Sequence, residues 1–216
     1  MNSFSALFRS AGYGILLLTV FDWINVLIPL QLNDPTWQFT TAGNFVERSI
    51  VPIVGFVLLF YDNQDARSEK EMILLRCLSW LSLLTGMFYA ALFVILFIIP
   101  AGIDNLNGLR VDAQFSPEIA KIQQVQIQVK NAPIAQLEAM MKSNKAVTTT
   151  DPQVFKSKVL ENTAVAEKNL TMEADFTKNN QKMSLLKNAV RWALGALVSA
   201  IIFIRIWGLT DWARNY

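Results

Sequence analysis

The sequence predicts an all-α integral membrane protein: about four transmembrane helices, with a polar helical hairpin inserted between the third and the fourth. Two observations carry this. Hydrophobic residues make up 53% of the chain and charged residues only 17%, where a soluble domain carries about 25% charged residues. The apolar mass is also unevenly placed. It lies in residues 11–30, 50–61, 78–100 and 190–209, whereas 101–187 is polar and lysine-rich. The expected organisation is a three-span membrane domain (1–100), an extramembrane helical insertion (101–187), and a fourth span with a short tail (188–216).

The first span covers Ala11 to Leu30, about the twenty residues that a bilayer-crossing helix requires. No small-x-small cleavage site follows cleanly, so the segment reads as a retained helix and not as a signal peptide. Asn33-Asp34-Pro35 breaks it, and Trp37 is placed to anchor at the interface. The second span is less clean. Ile50 to Tyr61 is too short alone, and extended back to Thr41 it carries Glu47 and Arg48. A re-entrant or tilted segment is the alternative there. The third span, Leu78 to Pro100, is expected to close at Pro100-Ala-Gly102. The fourth, Ala189 to Leu209, has Trp192 and Trp207 near its ends, as in an aromatic belt.

The insertion reads as helical. Ser116-Pro117-Glu118 has the form of a helix start: a capping serine, a first-turn proline, and an acid at the positive end of the dipole. Ile119, Ile122, Val125 and Val129 follow at three- and four-residue spacing, an amphipathic stripe able either to close the hairpin or to dock a partner. Pro133 interrupts it, residues 143–150 look like a loop, and Asp151-Pro152 repeats the capping logic. No proline or glycine occurs from Gln153 to Leu194, so one helix could run from there into the fourth span.

Orientation follows from the short loops. Residues 31–45 hold no lysine or arginine, whereas 62–77 hold Arg67, Lys70 and Arg76. The positive-inside rule puts the second loop and both termini in the cytoplasm and 101–187 on the outer or lumenal side. Lys182, Lys187 and Arg191 argue the other way, but long insertions obey the rule poorly.

Little in the sequence points to catalysis. The chain has no histidine and a single cysteine, Cys77. The commonest general base and metal ligand are therefore missing, and the expectation is a non-enzyme with no cofactor and no metal. A net charge of +2 is too small to point to nucleic acid as a partner. The partners expected are the lipid bilayer and another membrane protein complex. Asp22 and Arg48 are the charges to watch. Their depths in the first and second spans agree to within a helical turn, so they are expected to form a structural ion pair. Ser82, Gly86 and Ala90 in the third span, with Gly195 and Ser199 in the fourth, have the small-residue spacing of close helix packing. That spacing predicts contact between the two spans near Gly86 and Gly195.

The stretch Val46-Glu-Arg48-Ser-Ile-Val-Pro52-Ile-Val-Gly55-Phe-Val-Leu-Leu-Phe60 resembles the second helix of the HpsJ-like family, cyanobacterial four-span membrane proteins. The resemblance implies a polar helical insertion between the third and fourth spans, as this chain's layout also indicates. It further implies a link to polysaccharide secretion, with thylakoid photosystem assembly or membrane organisation as another setting, and it brings no catalytic residues. The functional expectation is an accessory or scaffold protein, its spans serving as anchor and its hairpin as docking element. A small transporter or channel subunit using Asp22 and Arg48 is the rival from another class, and a pigment-binding protein a third reading.

Overall fold

The computed structural model describes residues 3–61, 67–143 and 151–215, and all its regular structure is helical. In chain order the helices are α1 (Ser3–Leu27), α2 (Pro35–Glu47), α3 (Ile50–Phe60), α4 (Glu69–Asn131), α5 (Ile134–Ser143), α6 (Pro152–Leu209) and α7 (Asp211–Arg214). Among the described residues four stretches are long and apolar enough to cross a membrane: Ala6–Leu27, Pro35–Phe60, and segments within α4 and α6. The chain divides into two compact units, Met1–Ile103 with Ser184–Tyr216, and Asp104–Met183.

Local chemistry explains most of the helix ends. Asp34 caps α2, its carboxylate accepting from the Thr36 N–H at 2.9 Å, with Pro35 in the first turn. Asp151 does the same for α6 through the Gln153 N–H at 2.9 Å. Pro133 separates α4 from α5. The loop expected at 143–150 lies, apart from Ser143, outside the described residues.

Two expected boundaries are wrong. Pro100-Ala-Gly102 does not end the helix, and Ser116-Pro117-Glu118 does not start a new one; α4 runs through both. An interior proline costs a helix about 3 kcal/mol, but burial on both sides of each proline opposes the break. Leu96 is fully buried before Pro100 and Ile103 is buried after it. Phe115 is buried before Pro117, and Ile119 packs on the same cluster after it. Packing of an apolar face, more than propensity, decides whether a helix persists. The first span also ends earlier than expected, at Leu27.

In the first unit the core joins Phe45 and Val46 of α2, Phe56 of α3, Tyr89 and Leu96 of α4, and Trp192, Ala196 and Phe203 of α6. Here α4 and α6 pack antiparallel. The Ser82 hydroxyl donates to the Phe203 carbonyl at 2.9 Å, the Ser79 and Thr210 hydroxyls meet at 2.7 Å, and the rings of Tyr89 and Phe203 stack at 5.5 Å. Gly86 is at this contact, where an added Cβ would lie 3.0 Å from Ile204. The expected meeting of Gly86 with Gly195 is therefore not found. An antiparallel register puts Phe203 and Ile204, not Gly195, opposite Gly86. Gly195 instead faces Val46, and Ala90 is exposed.

In the second unit the α4 and α6 segments run antiparallel, with α5 packed at the far end. Val111, Phe115 and Ala174 form one small core, and Val129, Leu137 and Phe155 another. Between them Gln123 and Gln126 each donate to one oxygen of the Glu167 carboxylate, at 2.7 and 3.0 Å, and these bonds hold its pKa below the ordinary glutamate value. Lys178 pairs with Asp112 at 2.6 Å and Lys182 with Asp104 at 3.2 Å. Both pairs are exposed enough that each contributes little to stability.

The tightest backbone approach was not among the expected small-residue ridges. An added Cβ at Gly12 of α1 would lie 3.0 Å from both the Gly55 carbonyl oxygen and the Leu59 nitrogen of α3. At Gly14, two residues on, nothing lies within 4 Å. Overpacking a close contact costs about 1–3 kcal/mol. Gly12→Leu should therefore lower the unfolding free energy, measured by denaturant titration in detergent micelles, by that much, while Gly14→Leu leaves it within error. Equal effects would mean that α1 does not seat on α3 through Gly12.

Candidate functional site

The second span is not one helix. Between α2 and α3 the chain passes through Arg48 and Ser49, and the cause is local. Pro52 has no N–H to give the Arg48 carbonyl four residues earlier, and its ring crowds that oxygen. The Arg48 carbonyl takes the Val51 N–H at 3.2 Å instead, and the Ser49 N–H turns to the Val46 carbonyl at 3.2 Å. That second shift deprives the Phe45 carbonyl of its usual i+4 donor. In hydrocarbon no water replaces a lost backbone bond, so a neighbouring group must.

Tyr89 supplies that group, and side chains from α1 and α6 bond the polar side chains at the break. From α4, the buried Tyr89 hydroxyl donates to the Phe45 carbonyl at 2.9 Å. From α6, the Ser199 hydroxyl donates to Ser49 Oγ at 2.8 Å, both residues buried. From α1, Asp22 accepts from Arg48 Nη1. From α6 again, Arg191 donates to Glu47, and the Trp192 indole N–H bonds the same carboxylate oxygen at 2.8 Å. Trp192 also lies against Phe39 and over Gly43, where any Cβ would fall 2.5 Å from the indole ring. Only glycine there lets α2 lie flat on the indole.

The structure thus brings Asp22 and Arg48 together, with side chains 34% and 42% exposed, on the surface of the first unit. Of the small residues singled out for packing, Ser82, Gly86, Gly195 and Ser199 lie at helix contacts and Ala90 does not. Along the insertion stripe, Val129 is buried in the hairpin's own core and Ile119 packs on the neighbouring cluster, while Ile122 is half-buried and Val125 is 41% exposed. Most of the stripe closes the hairpin on itself.

Sequence reasoning missed the Glu47–Arg191–Trp192 group. The signal was present: Arg191 stood out as a cation on the wrong side for the positive-inside rule, and Glu47 as an acid within a span. Each is the other's partner, which removes the anomaly. Among the described residues, no three His, Cys, Asp or Glu side chains gather as a metal site would need. The arrangement can hold a bent segment at depth in a bilayer, and its charges are engaged in doing so.

A central charge left alone costs about 2.5–3.5 kcal/mol on insertion scales, and residues in contact couple by about 0.5–3 kcal/mol. In a double-mutant cycle on unfolding in micelles, Asp22→Asn and Arg48→Gln should each destabilise, and the double change should cost about 1 kcal/mol less than their sum. Strict additivity would mean that the two side chains do not share an interaction in the membrane.

No curated protein and no solved structure matches the chain. A family model described as HpsJ-like protein matches residues 3–211, from the start of α1 to the start of α7 and through the broken second span. The chain belongs to the HpsJ-like protein family.

Proposed function

We propose that this protein is a non-enzymatic accessory of a membrane complex, held in the bilayer by its four apolar segments and docking its partner through the Asp104–Met183 hairpin. The observation that carries this reading is where the polar chemistry goes. At the broken span the polar and charged side chains bond one another, whereas the hairpin offers two long helices and an incompletely covered apolar stripe on α4, with Ile122 half-buried and Val125 41% exposed. Family membership favours polysaccharide export as the setting, and a thylakoid assembly complex is the alternative setting. The rival reading as a small transporter subunit draws on the same broken span, because transporters use unwound helices at substrate sites. It needs charges free to meet a substrate, and Asp22 and Glu47 already have partners.

The hairpin lies outside the cytoplasm in this proposal. One end of the first unit carries Arg9, Arg67, Lys70, Arg76, Arg205 and Arg214. Its members are tied across helices: Arg9 lies 3.8 Å from Glu71, Arg67 sits over the Trp212 ring, and Arg214 donates to Ser79 Oγ at 2.7 Å. The other end carries Asp34, the exposed Lys187, and the internally paired Glu47 and Arg191, so it holds fewer cations. The positive-inside rule assigns the cationic end to the cytoplasm.

Two measurements test the proposal. In a Cys77→Ser background, a cysteine introduced by Ala164→Cys should react with a membrane-impermeant maleimide only from the outer or lumenal face; labelling from the cytoplasmic face reverses the topology. In the same native membranes, the tagged full chain extracted in mild detergent should retain a partner complex that Ile122→Lys with Val125→Lys releases at least tenfold, with insertion and helix content unchanged. Val129 is left alone because it is core. A partner that stays bound, or none captured by the unsubstituted chain, would overturn docking through this face.

A further inference from the structure

We infer that the outward face of α6 between Val165 and Met183 is a seam for parallel pairing with a second copy of this chain. This goes beyond the accessory reading and rests only on α6 entering the membrane.

Ala174 is buried against α4. Residues two positions away on a helix point about 200° round, so Met172 and Phe176 face away from the hairpin. They are 51% and 66% exposed, and Val165 and Met183 are each 53% exposed. With Asn169 and Asn179 these residues form the series Val165, Asn169, Met172, Phe176, Asn179, Met183, in which steps of four and three alternate without a slip. That is the a/d spacing of a coiled-coil seam. It lies on the side opposite the residues that close the hairpin, and among the described residues of the second unit nothing packs over it.

Three features choose a second copy as the occupant. First, α6 is one helix from Pro152 to Leu209, and its last part is a candidate membrane span. Two copies inserted in the same sense therefore carry this seam on the same side of the bilayer with the same chain direction and the same separation along the chain from the span, which is the parallel, in-register arrangement. Second, that register sets Asn169 opposite Asn169 and Asn179 opposite Asn179. Asn169 falls at an a position, where a buried asparagine lowers stability but specifies register and oligomeric state, because its amide finds a partner only in the matched pairing. Third, Lys168 and Glu173 flank the seam five residues apart and are both exposed. In a parallel pair this offset brings the lysine of each copy to the glutamate of the other. From the next flanking cation, Lys182, the same offset leads to the like-charged Lys187, and Lys182 is met within its own chain by Asp104 at 3.2 Å.

The test uses the full chain with Cys77→Ser, purified and reconstituted into phosphatidylcholine liposomes that hold no other protein. Copies inserted in opposite senses have their hairpins on opposite sides of the bilayer, so only parallel pairs can form. Under mild oxidation Met172→Cys and Phe176→Cys should each give a disulfide-linked dimer at least tenfold more readily than Thr171→Cys, which lies beside the seam. Fluorophore-labelled chains without a seam substitution should bleach in two steps and the Met172→Lys with Phe176→Lys variant in one. Equal cross-linking at Thr171, or single-step bleaching of the chain with its seam intact, overturns the proposal. So does cross-linking of the seam cysteines to a protein of different mass in native membranes by a chain that is monomeric in liposomes, which would assign the face to another partner. The liposomes contain no candidate complex, so a failure here leaves docking of the accessory partner untouched.

Discussion

A helix broken inside hydrocarbon must have its freed groups met by protein, and this requirement organises the first unit. Pro52 sets the break, which frees the Phe45 carbonyl, and the side chains of Ser49, Glu47 and Arg48 at the bend stand beside α6 and α1. Tyr89, Ser199, Arg191, Trp192 and Asp22 answer them from three other helices. Each of these helices is thereby fixed in rotation and height against the second span, since a hydrogen bond lost in a bilayer has no water to replace it. The apolar contacts add area, and the polar contacts choose one arrangement.

The same requirement explains why the charges near the break do not form an open path. A buried or half-buried charge is tolerated when it has a partner with good geometry and is costly when stranded. Glu47 and Arg48 are adjacent in sequence and point to different neighbours, so each acquires a partner of opposite sign on a separate helix. The result is a neutral set of ties between α1, α2, α3 and α6.

Outside the apolar segments the balance is different. The hairpin has only two small apolar clusters, joined by amide–carboxylate bonds at Glu167 and by exposed ion pairs. Its helices bury one face each and leave another open. On α6 the open face carries the Val165-to-Met183 seam. A segment with more apolar surface than it can cover internally is suited to binding, and the two faces of α6 divide those tasks.

The sequence by itself determined that the chain is helical, that four segments are apolar enough to span, and that a polar helical insertion separates the last two. Those properties follow from composition and from capping signals such as Asp34-Pro35 and Asp151-Pro152, which act over a few residues. It also placed Asp22 and Arg48 at matching depths, because rise per residue is fixed along a helix. Tertiary structure decided what depends on neighbours. Pro100 and Pro117 sit inside one continuous helix because Leu96, Ile103 and Phe115 are buried beside them. Gly86 faces Ile204 and Gly195 faces Val46 because the register of an antiparallel pair is set by the summed packing of both faces. Gly12 meets Gly55, and Glu47 meets Arg191, across separations that no local pattern encodes. Spacing along one helix tells which residues share a face, and only the packed neighbours determine what that face touches.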